Sequence, residues 1–428
     1  MSQTSLKSRR DLALGSGATL FYDDPLEIVR GEGVYLFDKA GKRYIDMYNN
    51  VPCVGHANTA VVKAMAGQQA TLNVHSRYLH EGVVKFAERL VGLHHEDIES
   101  VVFSCSGTEA NEVALRMARI VTGRRGIVCT EAAYHGNSEL VGSLNYIGEQ
   151  DSGQGEIRCF PYPDLYRPLM QGKTEAELCA ASLAHVKSAI DSLNEDGHGF
   201  AGLIMCSIFA NEGLPDIPTG FMSKVTELVH QAGGLVIADE VQAGYARTGR
   251  WWGYDDTRYK PDIVVTGKPM GNGLPLAATA ASRVLVDAFR SGTRYFNTFA
   301  SSPLQAAVGM AVLDEIEQGD LCSSVAKVGA HLKHELQMRA ERYDLIGDVR
   351  GRGLFLSVEM VKDGLSKTPD PDWADTIANR LKDKGILVST DGKYDNILKI
   401  RPPLVFSFEH AVEFLAAFDE TMEETGDR

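Results

Sequence analysis

The chain has 428 residues, enough for two or three domains or for one large α/β domain with an appendage. Its 44% apolar and 23% charged residues match a soluble globular protein and exclude a disordered, fibrous or membrane-spanning one. Forty-three Lys and Arg against 57 Asp and Glu leave a net charge of −14, which repels polyanions, so neither nucleic acid nor an anionic membrane surface is an expected partner.

Near the N-terminus, Ser8-Arg9-Arg10 followed by Leu12 and Leu14 superficially resembles an export signal, but Gly15, Ser16 and Gly17 interrupt the apolar run, and no export is expected. Tyr22 to Asn50 alternates apolar and polar residues around the turn Asp38 to Lys42, which predicts a hairpin or meander. Between about residues 95 and 285 short apolar runs alternate with amphipathic stretches, the pattern of an α/β domain with a mostly parallel sheet. The expected strands are Ser100 to Ser106, Gly126 to Thr130, Phe200 to Phe209, Gly234 to Asp239, Asp262 to Thr266 and Leu276 to Ser282. Most are continuously apolar, as suits strands covered on both faces. A polar loop is expected from Gly148 to Gly155.

Beyond this core, helices are predicted over Ser302 to Glu317, Leu321 to Arg342, Trp373 to Lys384 and His410 to Glu424, with strands at Gly353 to Met360, Gly385 to Ser389 and Ile397 to Ile400. The division that follows is an N-terminal segment 1–55 packing with a small C-terminal α+β domain, 306–428, around a large domain, 56–305. Seven scattered cysteines without a C-x-x-C pair read as reduced thiols of a cytoplasmic protein. His75, His80, His94, His95 and Glu96 lack metal-ligand spacing, and no metal is expected.

Ligands of an open parallel sheet sit at the carboxyl ends of its strands, and four such ends are unusual. Ser106-Gly107-Thr108 leads a strand into a helix, offering N–H groups and a positive helix end to a phosphate, although the same residues would serve as a plain N-cap. Leu235 to Ala238 ends in Asp239-Glu240, followed by Val241-Gln242; a magnesium-binding reading would need a G-x-x-x-x-G-K-[ST] loop, which is absent. Lys268 follows a buried strand, where burial would lower an amine's pKa and make it nucleophilic, although taken alone it reads better as an exposed loop lysine. Glu131-Ala132-Ala133-Tyr134-His135-Gly136 sets an aromatic beside a turn. A phosphate cup, an aspartate and a lysine are together what a pyridoxal phosphate site requires.

These residues, in this order, resemble the class III aminotransferase family, pyridoxal phosphate enzymes of fold type I, over essentially residues 20–425. The resemblance implies a large, mostly parallel seven-stranded sheet domain plus a smaller α+β domain. It implies that Ser106, Gly107 and Thr108 hold the cofactor phosphate, with Tyr134 and His135 beside the ring and Val241 on its other face. The same resemblance implies that Asp239 pairs with the pyridine nitrogen, Gln242 meets the phenolic oxygen, and Lys268 carries the cofactor. Thr298, in Tyr295-Phe296-Asn297-Thr298-Phe299, matches a residue that reaches the neighbouring subunit's cofactor, which implies a homodimer with shared active sites.

Within the family, Tyr48-Asn49-Asn50-Val51, Val54-Gly55-His56 and Ser76-Arg77-Tyr78-Leu79-His80-Glu81 are most similar to the ethanolamine-phosphate and phosphohydroxylysine phospho-lyases. So are Gly347 to Gly351, Ser389 to Gly392 and Asn396 to Lys399. Relatives place a glutamate near Ala210-Asn211-Glu212, and which residue takes its place here stays open. The implied substrate is a small phosphorylated amine, with Tyr48, Asn50, Arg77, Tyr78 and Arg401 as its candidate ligands. Arginine suits carboxylate as well as phosphate, so an ω-aminotransferase is the alternative. A non-catalytic relative would be expected to lose Lys268 or Asp239, and both are present.

Overall fold

The computed structural model describes residues 5–145 and 155–425; most of the expected loop Gly148 to Gly155 lies outside them. Three sheets organise the chain. The first strands, β1 (Ile28–Glu32), β2 (Tyr35–Asp38) and β3 (Arg43–Asp46), form the meander read from the alternating pattern, reversing at Asp38 to Lys42.

The central sheet contains β4 (Ser100–Ser104), β5 (Gly126–Thr130), β6 (Ile157–Phe160), β7 (Phe200–Cys206), β8 (Leu235–Asp239), β9 (Ile263–Thr266) and β10 (Ala277–Ala281). Their order is β4-β10-β9-β8-β7-β5-β6; only β10 runs against its neighbours. Successive side chains point to opposite faces: Ile204 and Ile237 join one buried cluster, Leu203, Met205, Val236 and Ala238 the other. Both faces are therefore covered, which is why these strands read as unbroken apolar runs.

Two expected strands are shorter than their apolar runs suggest. Ser100 to Ser106 ends at Ser104, because Ser106 caps the helix Gly107–Thr122; Phe200 to Phe209 ends at Cys206, where the chain turns through Phe209 at φ +52°.

The third sheet is antiparallel and contains β11 (Ile346–Arg352), β12 (Phe355–Met360), β14 (Ser389–Asp391) and β15 (Ile397–Ile400), in the order β11-β12-β15-β14. Strand β13 (Ile386–Leu387) leaves it to pair in parallel with β3, so the N-terminal meander is completed by the C-terminal part of the chain. The helices Pro303–Gln318, Leu321–Arg342, Pro371–Asp383 and Phe408–Thr425 lie close to the sequence expectation. All seven cysteines are unpaired. Among the described residues no helix is long and apolar enough to cross a membrane, and no cluster of three His, Cys, Asp or Glu could hold a metal.

Candidate active site

Five strands of the central sheet deliver their carboxyl ends to one cleft. Its wall contains Gly107 and Thr108 after β4, Tyr134 to Gly136 after β5, and Cys206 and Asn211 at the end of β7. Asp239, Val241 and Gln242 come from β8, and Lys268 from β9.

The Gly107–Thr122 helix begins at this wall, so its unpaired N–H groups and positive end face the cleft. Ser106 is its cap: the hydroxyl accepts the Glu109 N–H at 3.2 Å. Thr108 Oγ1 donates to Asn137 Oδ1 at 3.2 Å, and Thr108 leaves no room for a side chain at Gly136. A Cβ there would lie 2.5 Å from Thr108 Oγ1, and φ is +146°. Gly107 faces Val241 in the same way, a built Cβ meeting Val241 Cγ1 at 3.0 Å.

Asp239 is buried, and every bond it makes favours its anion. Oδ2 accepts from His135 Nδ1 at 2.7 Å and from Asn111 Nδ2 at 3.0 Å; Oδ1 accepts the Val241 N–H at 3.0 Å. Burial alone would raise its pKa, but the His135 hydrogen bond and charge, with Val241 and Asn111, outweigh it and hold the carboxyl below its ordinary range. His135 Nε2, on the far side of the ring, is buried without a hydrogen-bond partner. The adjacent Glu240 alternates to the other face, where Ser207 and the Gly253 N–H occupy it and burial pushes its pKa up to about 7. Only one carboxylate of the Asp239-Glu240 pair therefore serves the cleft.

Lys268 begins a single 3₁₀ turn, Lys268–Gly271. That turn is tied to the N-terminal segment through Asn272, which accepts the Val54 N–H at 3.0 Å and donates to the Gly55 carbonyl at 3.0 Å. Burial, then the charge of Arg401, lowers the Lys268 pKa from 10.5 to about 8, with Asp239 opposing. The result is an amine that gives up its proton far more readily than an exposed lysine.

Two buried cations lie behind the cleft residues Gln242 and Asn211. Arg401 is buried between the rings of Tyr48 and Phe355, 5.1 and 5.3 Å from their centroids. Its Nη1 donates to Gln242 Oε1 and its Nε to the Tyr48 carbonyl at 3.0 Å; burial lowers its pKa. Lys399, not anticipated from sequence, lies beside it, paired with Asp391 and 3.5 Å from Asn211 Oδ1. Asn211 also accepts from Gln242 Nε2 at 3.0 Å and donates to the Tyr134 carbonyl at 3.1 Å. It faces the cleft, whereas Glu212 is buried against Thr130.

The remaining sequence candidates lie elsewhere. Asn50 is buried, its amide bridging the Gln242 carbonyl and Arg247 Nε, each at 3.0 Å. Tyr48 lines a neighbouring apolar groove, under the edge of Phe21. Arg77, Tyr78 and Thr298 are exposed and do not line the cleft; Arg77 stacks on Phe296, 4.2 Å from its centroid. Asn297, next to Thr298, donates to Glu109 at 3.0 Å, which fixes this loop against the start of the Gly107–Thr122 helix.

A helix N-terminus beside two glycines, an anionic aspartate, an amine of lowered pKa and aromatic and aliphatic side walls fit pyridoxal phosphate. A model of the class III aminotransferases matches residues 22–422. The chain belongs to this family. Family membership carries with it pyridoxal phosphate as the cofactor. Among solved structures, an Arthrobacter phospholyase in complex with phosphoethanolamine superposes with a TM-score of 0.94 at 39% identity, covering 98% of this chain and 99% of the other. An alanine–glyoxylate aminotransferase 2-like protein of Drosophila melanogaster is 37% identical over 99% of this chain and 87% of its own length. An ethanolamine-phosphate phospho-lyase homologue of Caenorhabditis elegans is 33% identical over 97% and 92%.

The cytoplasmic expectation is corrected by two further class III relatives, from Arabidopsis thaliana and Homo sapiens, both mitochondrial by name. Unpaired thiols do not single out the cytoplasm.

Proposed function

We propose that the protein is a pyridoxal-phosphate-dependent phospho-lyase that converts a small phosphorylated amino alcohol, such as O-phosphoethanolamine, and water into an aldehyde, ammonia and phosphate. The observation that carries this reading is the end-to-end similarity to the phosphoethanolamine-bound Arthrobacter enzyme. The buried cations Arg401 and Lys399 support it.

In this reading Gly107, Thr108 and the helix end above them hold the cofactor's phosphate, Asp239 holds its ring nitrogen, and Tyr134 and Val241 flank the ring. Bound pyridoxal phosphate supplies a covalent handle for the amine and an electron sink for the carbon beside it. The neutral Lys268 amine removes the proton from that carbon, a task suited to a base titrating near 8. The Arg401 guanidinium fork engages the phosphate on the next carbon and stabilises the charge that builds as it departs. His135 keeps Asp239 anionic throughout.

Arg77, Tyr78 and Thr298, exposed on one subunit, fit a homodimer in which they complete the partner's site; Phe296 and Phe299 beside them are apolar and open to solvent. The aminotransferase reading is favoured by the names of the Drosophila and Arabidopsis relatives. The two readings separate when the purified enzyme is mixed with O-phosphoethanolamine without a keto acid. Repeated release of phosphate and aldehyde is the expected result. A single conversion of the cofactor, resumed only after a keto acid is added, would assign an aminotransferase.

A further inference from the structure

Arg401 is fixed by a turn more than by any charged partner. Its backbone N–H donates to the Met47 carbonyl at 2.6 Å and its Nε to the Tyr48 carbonyl at 3.0 Å, so two of its anchors belong to residues 47–50, while Gln242 Oε1 takes Nη1. One carboxylate shapes that segment. Asp46, fully buried at the end of β3, accepts the N–H groups of Tyr48 and Asn49 on Oδ1 at 3.0 and 2.9 Å. Its Oδ2 accepts from His56 Nε2 at 2.7 Å. His56 is itself held on every side: its backbone exchanges two hydrogen bonds with Gly33, at 3.0 and 2.8 Å. Its side chain fills the space above Gly31, where a Cβ would meet His56 Cβ at 2.8 Å. With both oxygens engaged from different directions, the carboxylate has one orientation, and the turn built on it has one shape.

We propose that Asp46 and His56 are a positioning pair for Arg401, acting through the turn 47–50 to aim its guanidinium at the anionic group of the substrate. Neither residue lines the cofactor cleft. The inference rests on Arg401 being the anion-holding residue, as proposed above, and is independent of whether that anion is phosphate or carboxylate. Without the His56 ring, Oδ2 loses its only side-chain donor among the described residues, the Asp46 carboxylate turns, and the Met47 and Tyr48 carbonyls no longer converge on Arg401.

The test is a double-mutant cycle of His56→Ala and Arg401→Gln in the cofactor-loaded enzyme, read by calorimetric titration with inorganic phosphate and, separately, acetate. His56→Ala is expected to weaken the relevant anion roughly tenfold when Arg401 is present, and less than about twofold in the Arg401→Gln background. Equal losses in both backgrounds would overturn the proposal, because a merely structural histidine acts regardless of Arg401. Coupling seen with acetate and absent with phosphate would leave the pair standing and sink the phospho-lyase reading. If neither anion responds to Arg401→Gln, the positioning role falls. Should His56→Ala fail to fold, Gly31→Ala displaces the same ring and is expected to reproduce the coupling. His56→Gln, which keeps a side-chain donor, is expected to recover most of the binding, and no recovery would count against the pair.

Discussion

Replacing Lys268 by methionine should make the cofactor-free protein more stable. The amine is buried, and that burial together with the Arg401 charge moves its pKa from 10.5 to about 8. At 1.36 kcal/mol per pH unit this displacement corresponds to about 3 kcal/mol. Its sign follows from where the proton sits. The folded pKa lies below the unfolded one, so the protonated amine favours the unfolded chain. Below pH 8 both states carry the proton and the full penalty applies. Between 8 and 10.5 the folded protein sheds the proton that the unfolded chain keeps, and the penalty fades. Methionine has a similar volume and no charge, so Lys268→Met should gain about 3 kcal/mol at pH 7 and little at pH 10.5. Urea unfolding of both cofactor-free proteins, at one fixed protein concentration and at both pH values, measures the difference. A gain that is absent at pH 7, or that persists undiminished at pH 10.5, would refute a buried, charge-strained amine.

Two more outcomes follow from the same cleft. Gly136→Ala places a methyl group 2.5 Å from Thr108 Oγ1 and strains a φ of +146°, so it should lower cofactor affinity roughly tenfold in a fluorescence titration of the cofactor-free protein; unchanged affinity would remove Thr108 from the phosphate cup. His135→Phe takes away the donor that holds Asp239 below the ordinary carboxylate range, so burial should raise its pKa and carry the acid limb of kcat/KM to higher pH. An acid limb that stays in place would show that another group holds Asp239 anionic.

Strand ends were the most legible part of this site. An apolar run covered on both faces has nowhere to place Asp239 or Lys268 except at its end, so a polar residue following Leu235 to Ala238 or Ile263 to Thr266 marks the ligand side. β6 escaped notice because Arg158 interrupts a run of only four residues. Its charge is hidden by Asp196, Ser192 and two carbonyls, bonds that no sequence pattern announces. Lys399 had a usable signal: in Ile397-Leu398-Lys399-Ile400-Arg401 the two cations are two residues apart, the spacing of one face in an extended chain, at the end of the strand Ile397–Ile400. No periodicity could decide between Asn211 and Glu212. They lie in an irregular turn between Phe209 and Leu214, both at positive φ, where alternation has already broken. Arg77, Tyr78 and Thr298 carry a recognisable pattern, yet the fold of one chain does not bring them to its own cleft.

The pairing of β3 with β13 has a consequence for synthesis. Ile45 contacts Ile386, so the sheet that supports the turn 47–50 joins the start of the chain to a segment made more than three hundred residues later. The emerging meander leaves the ribosome long before its last strand exists, and its unpaired edge is open to wrong partners in the interval. At about 5–20 residues per second that interval lasts some tens of seconds. The support for Arg401 is therefore assembled only once Ile386 has been made, after the central sheet has had time to form.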